Sequence, residues 1–210
     1  MFQGGEPSTI TTVTPAAGAL MTSEPTRKVD PMQSPLWHYA LSIYAEPDVA
    51  PACLVLQEHA GVDVCVLLYS LYAANMGRKM TPAMLRAVDH RVSDWRELVV
   101  LPLRKVRQNM KRETIVIPSP LLDLIRQEVK QVELHAEQVT LALLYLDFTV
   151  QHAQHSSCQP IPPEVNATVS FYLKKNKLPK QLMHEQVVQK AIATMQSKAR
   201  ATYFPILQKT

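Results

Sequence analysis

Five groups of residues in this chain of 210 have types and spacings that could do chemistry. Cys65 stands two residues after Asp63, in the first turn of a helix expected to start there, where amide dipoles favour a thiolate. The charge of Asp63 and the apolar neighbours act the other way, so Cys65 is expected to be a small buried hydrophobe. His152, His155 and Cys158 spell HxxHxxC. On one helix the first and last would point about 240° apart, a structural zinc takes about four ligands, and His135 would lie about 25 Å up the same helix. Histidines at a helix end are expected, and neither a metal nor a cofactor.

Glu58, His59, Asp63, Asp89, His90 and Asp94 are the acids and bases that come nearest to a cluster. No spacing among them sets a nucleophile beside a base and an orienting group, so caps and surface charges are the expectation, with no catalytic residue. Arg104, Lys105, Arg107, Lys111 and Arg112 form a basic run that could neutralise phosphates, with affinity falling steeply as salt rises. A solvated helix end whose cations complement the helix dipole is the simpler account. Finally, Trp37, Tyr72 and Trp95 could line a pocket, with Asp94 at its rim.

The rest of the composition removes whole classes of function. Of five glycines, three (Gly4, Gly5 and Gly18) precede residue 33, leaving Gly61 and Gly77 for everything after. Loops that cradle phosphate need several glycines close together, so nucleotide folds of that kind are excluded. An all-β fold with many tight hairpins is disfavoured on the same ground. Cys53, Cys65 and Cys158 form neither a disulfide framework nor a CxxC pair, which fits a reducing, cytoplasmic setting. No secretory signal is read, and no stretch reaches the roughly 20 apolar residues that cross a bilayer. The net charge of +4 is uneven: residues 34–112 hold ten basic and seven acidic side chains, 113–160 two and six, and 161–210 eight and two. A contact between the acidic stretch and the basic tail would satisfy both.

The elements that must position these groups are helices. DVCVLLYSLYAANM, residues 63–76, holds only Asp63, Ser70 and Asn75 as polar residues. It predicts a helix buried on every side, capped by Asp63 and ended by Gly77. Residues 1–33 lack apolar periodicity and are expected to be disordered. Met32 stands before the first strong helix start and is a second candidate start of the native chain. Ser34 with Pro35 opens one helix and Asp48 caps another that Gly61 ends. Thr81 with Pro82 opens a third helix running towards Lys111, in which Pro102 should produce a kink or break. A long helix from Ser119 to about Gln154 carries Leu122, Ile125, Val129, Val132, Ala136, Val139, Leu143, Leu146 and Val150 as a heptad seam. A parallel homodimer in that register would set Glu128 against Glu133 of its partner, so packing on the bundle or an antiparallel partner is expected. Residues 139–150 are apolar nearly all round and predict the more deeply buried half. Two C-terminal helices follow, from Pro162 or Pro163 to about Lys175 and from about Lys180 to Tyr203.

The runs SPLWHYALSIYA, ACLVLQEHAGVDVCVLLYSLYAANMGRKM and VSDWRELVVLPLRKVRQNMK resemble, in this order, a bacterial conserved-hypothetical family, a domain of unknown function. The resemblance covers about residues 34–112. It implies a small helical cytoplasmic protein and brings no activity, substrate or site residues. In that family Asn usually stands where this chain has Cys65, so the resemblance implies no thiol chemistry.

The expectation is therefore an all-α protein. A compact helical bundle, residues 34–112, surrounds a buried central helix, and residues 113–210 form a helical extension packing on it. The expected function is that of a non-enzymatic interaction module with an unidentified protein partner and no membrane contact, using the long acidic helix or the basic tail. The alternative is nucleic-acid binding through residues 104–112 and 174–200. A second alternative is an enzyme or small-molecule binder with a pocket near Trp37, Tyr72 and Trp95.

Overall fold

A computed structural model describes residues 30–111, 117–152 and 165–201. Among them every regular element is helical. The central helix, α3 (Val64–Asn75), begins where Asp63 accepts a hydrogen bond from the Val66 amide at 3.1 Å. It ends at Gly77, whose φ of 74° turns the chain while the Arg78 amide closes back on the Ala73 carbonyl. Every residue from Cys65 to Ala74 is buried, as an apolar helix of this length requires.

α1 (Pro35–Tyr44), α2 (Val49–Ala60) and α4 (Pro82–Trp95) precede and follow it in the chain. Ser34 and Thr81 cap α1 and α4 by accepting from the amides of Trp37 and Met84, both at 3.2 Å, with proline next in each case. α2 departs from the expectation. Asp48 sits in the left-handed region at φ 68° and makes no side-chain cap. The reversal between α1 and α2 is so short that its last residue must adopt that conformation, which aspartate tolerates.

Ahead of Pro102 the regular α-helical winding is interrupted, and α4 ends at Trp95. The helical path continues through residues 82–109 because Arg96–Val100 widens into a π-turn ahead of α5 (Leu101–Asn109). The Leu101 amide reaches back five residues to the Arg96 carbonyl, which makes room for the ring and absorbs the lost donor. Leu98 stands on the bulge, 76% exposed.

α6 (Ser119–His152) runs through the molecule, followed by α7 (Val165–Lys175) and α8 (Gln186–Ala201). Residues 180–184, expected as the start of the last helix, form a separate 3-10 turn, and α8 begins after it. One hydrophobic core takes in Ile43 of α1, Leu56 of α2, Leu67 and Leu71 of α3, Leu85 of α4, Leu144 of α6, Val169 of α7 and Met195 of α8. Residues on both sides of position 112 thus share the same interior. Each fully buried leucine there contributes about 1.5–3 kcal/mol. Phe148 of α6 enters an aromatic cluster, 5.2 Å from Tyr72 and 6.0 Å from Tyr69 between ring centres. The expected disorder of residues 1–33 does not reach its end: Pro31–Gln33 is a 3-10 turn against α6, tied by a 2.6 Å hydrogen bond from Gln138 Nε2 to the Met32 carbonyl. Residues 1–29 lie outside the described ones.

Candidate functional site

The basic run turns inward. Arg104 donates from Nε to Glu133 at 2.9 Å, from Nη1 to Gln57 Oε1 at 2.7 Å and from Nη2 to Glu137 Oε1 at 2.5 Å. Arg107 donates from Nε and Nη2 to the two oxygens of Glu133. Lys105 and Lys111 stay exposed, and Arg112 lies outside the described residues. Within the acidic stretch Glu133 and Glu137 find their cations on α5, while Asp147 meets Arg91 of α4 and Asp123 meets Arg126 of its own helix. In the basic tail, Lys175 goes to Asp89 and Lys198 to Glu46. Burial alone would raise both α6 carboxyls. At Glu133 the hydrogen bonds from Arg107 and Arg104 outweigh it and hold the carboxyl below its ordinary value. At Glu137 burial prevails, with Arg104 offsetting part of it and Glu133 adding to it, and the carboxyl is held above its ordinary value.

A second charged cluster joins two members of the acid and base group. Arg96 Nη1 bridges Asp63 Oδ2 at 2.9 Å and Asp89 Oδ1 at 2.8 Å. Tyr172 donates its hydroxyl to Asp89 at 2.7 Å, and Lys175 adds a 2.5 Å contact. The cluster locks α4 and the π-turn onto the start of α3 and the end of α7. Its two carboxylates are matched by two cations, and its geometry is that of a clamp.

The three aromatic residues fall in three settings. Trp37 lines a groove of about 160 Å³ with Leu41, Tyr44, Leu68 and Leu141. Tyr72 is buried against Tyr39 and Phe148. Trp95 donates Nε1 to the Ala136 carbonyl of α6 at 2.9 Å. Cys65 is buried as expected, with its thiol pushed well up by burial and by the charges of Asp63 and Glu137. The backbone of His152 ends α6, while His155 and Cys158 lie outside the described residues.

The surface that sequence reasoning placed in the wrong register is on α6. Glu133, Ala136, Thr140, Leu144 and Phe148 are its buried stripe; of the expected seam Ala136 belongs to it, Leu122, Val129, Val139 and Leu143 are half-buried, and Ile125, Val132 and Leu146 are exposed. The two arginines of α5 draw Glu133 inward and rotate the helix accordingly. Glu133 and Glu137, four apart, against Arg104 and Arg107, three apart, was the legible signal. As a result the first half of α6 shows an apolar face. Leu121 and Leu124 are each 61% exposed, and Ile117, Ile125 and Val132 are about half exposed. At 100° per residue Leu121, Ile125 and Val132 fall within about 40° of one another, over about 17 Å of helix. The deeper half from Thr140 to Phe148 is buried, in keeping with its composition.

Comparison with known proteins returns one family. Residues 35–144 match the family described as a protein of unknown function (DUF2390), a longer stretch than residues 34–112, taking in α1 to α5 and most of α6. No curated protein and no solved structure matches the chain.

Proposed function

Given that the chain belongs to the DUF2390 family of proteins of unknown function, we propose that it is a helical interaction module whose outer α6 face docks the apolar side of a partner helix. The observation that carries this reading is the exposed stripe of Leu121, Leu124, Ile125 and Val132. Apolar side chains gathered on one face, unlike singly scattered ones, mark a contact surface. Covering the stripe would contribute about 1.5–3 kcal/mol for each side chain that becomes fully buried. Glu128, exposed in the same direction of the helix, sets one charge among these apolar side chains. A cytoplasmic setting belongs to the same proposal and draws support from the free thiols at Cys53 and Cys65.

The test is a paired capture and sizing experiment with the full chain and a Leu124→Glu, Ile125→Glu variant. Both positions are exposed, so the variant should keep the circular dichroism and melting temperature of the parent. Crosslinked capture from the native host should recover a partner with the parent and lose it with the variant. Light scattering at rising concentration tells whether that partner is a second copy of the chain. Equal recovery by both proteins would refute the proposal.

A further inference from the structure

On the outer face of α6 the position of Glu128 says what a docked helix must bring. At 100° per residue it falls about 20° from Leu121 and about 40° from both Leu124 and Val132, inside the apolar stripe and not at its edge. Among the described residues it makes neither a hydrogen bond nor an ion pair. The positions one turn away, Leu124, Ile125, Gln131 and Val132, carry no charge, whereas Asp123 has Arg126 three residues on. Arg126 and Lys130, the cations of α6 nearest in the chain, lie about 160° away round the helix.

In the free protein water solvates this carboxylate. A helix that covers Leu124, Ile125 and Val132 also covers Glu128, and an ionised carboxylate taken from water without a counter-charge opposes docking. Faced by a cation, the same carboxylate selects the partner and its register, as a polar residue within an apolar seam does.

A second copy of α6 does not supply that cation. Its exposed stripe offers leucine, isoleucine, valine and the same glutamate. A parallel copy in register sets Glu128 beside Glu128. His135, about 20° from Glu128 round the helix, is the group on that side able to become positive. An antiparallel copy that brings His135 to Glu128 puts Leu121 of each chain on Ala142 of the other, which is buried in its own bundle.

We propose, on the reading that the α6 face docks a helix, that the partner is a helix of a different protein, about three turns long. It carries one arginine or lysine inside its apolar stripe, and that cation meets Glu128. The probes are two labelled amphipathic peptides with leucine stripes, differing only in a central lysine or glutamate, titrated with the full chain by fluorescence anisotropy. The lysine peptide should bind about tenfold or more tightly than the glutamate peptide, and Glu128→Lys should reverse that order. Because Glu128 is exposed, the variant should keep the circular dichroism and melting temperature of the parent. Light scattering at rising concentration should find the parent monomeric.

Binding of neither peptide would overturn the docking face and the cation with it. Equal binding of the two, an order unmoved by Glu128→Lys, or self-association of the parent that Leu124→Glu abolishes would leave the face standing and overturn the cation.

Discussion

Replacing Asp89 by Asn should be the most damaging change of a single charge in this molecule. The Asp89 side chain is 8% exposed and Arg96 13%, so the bond between them is shielded from water, whereas Lys175 at 35% is partly screened. Asn keeps the shape and one acceptor but leaves the Arg96 charge buried with Asp63 alone, and sets an amide N–H towards Lys175 or Tyr172. Breaking a buried pair from one side costs about 3–5 kcal/mol. The retained acceptor and the exposure of Lys175 place this case near the lower end, about 3 kcal/mol. Against a total of about 5–15 kcal/mol, that is a large fraction of the stability.

The same carboxylate gives the effect a pH signature. Burial would raise its titration, but the hydrogen bonds from Lys175 and Tyr172 and the charge of Arg96 outweigh burial and lower it. The folded chain then binds fewer protons than the unfolded chain, whose aspartates titrate near pH of about 4. The contribution is fully present above that value and is lost as pH falls through the folded value. Urea unfolding at neutral pH and along an acid series should show the parent losing stability on the acid side, and Asp89→Asn, already weakened, losing less. A loss below about 1 kcal/mol at neutral pH, the range of a surface pair, or an unchanged acid limb, would refute the clamp.

Gly61 sits at φ 63° against the Asn176 side chain, which donates to its carbonyl, so Gly61→Ala should cost about 1–3 kcal/mol in urea unfolding. Lys177 ends α7 in the same left-handed conformation at φ 55° without being glycine, so Lys177→Gly should raise stability by about 0.5–1 kcal/mol. Burial pushes the Cys53 thiol up to about 11 and Cys65 well above its ordinary value, so neither should be alkylated in native protein at neutral pH; mass spectrometry of labelled peptides checks this. Leu71→Ala, in the middle of α3, should cost about 2–5 kcal/mol.

How much of this was legible in the sequence depends on the range of the interaction. Ser34, Asp63 and Thr81 each accept from an amide three residues on, a local bond that residue type and spacing reveal. The burial of α3 was equally plain, because a helix without a polar face has nowhere else to go. Asp48 misled because the turn before it set its backbone. The register of α6 misled because two apolar stripes compete on that helix, and arginines on another helix chose between them. Trp37, Tyr72 and Trp95 stand in three settings for the same reason: sequence gives the face of a helix, and the neighbour it meets comes from the assembled fold. The Asp63, Asp89 and Arg96 cluster contained two acids that had been singled out, but the cation joining them was recognisable only once the π-turn was known.

The π-turn at Arg96–Val100 has a consequence for how this chain can vary. One residue more than a regular helix needs turns α5 by about 100° relative to α4. With that offset α4 delivers Val88, Asp89 and Val92 to the interior while α5 delivers Arg104 and Arg107 to Glu133. Removing any one residue of the turn would restore an even winding and swing both arginines off their carboxylate. Changes of side chain at an outward position such as Leu98 stay local, whereas a change of length by one is felt along the whole of α5. The segment is tolerant of spelling and intolerant of miscounting.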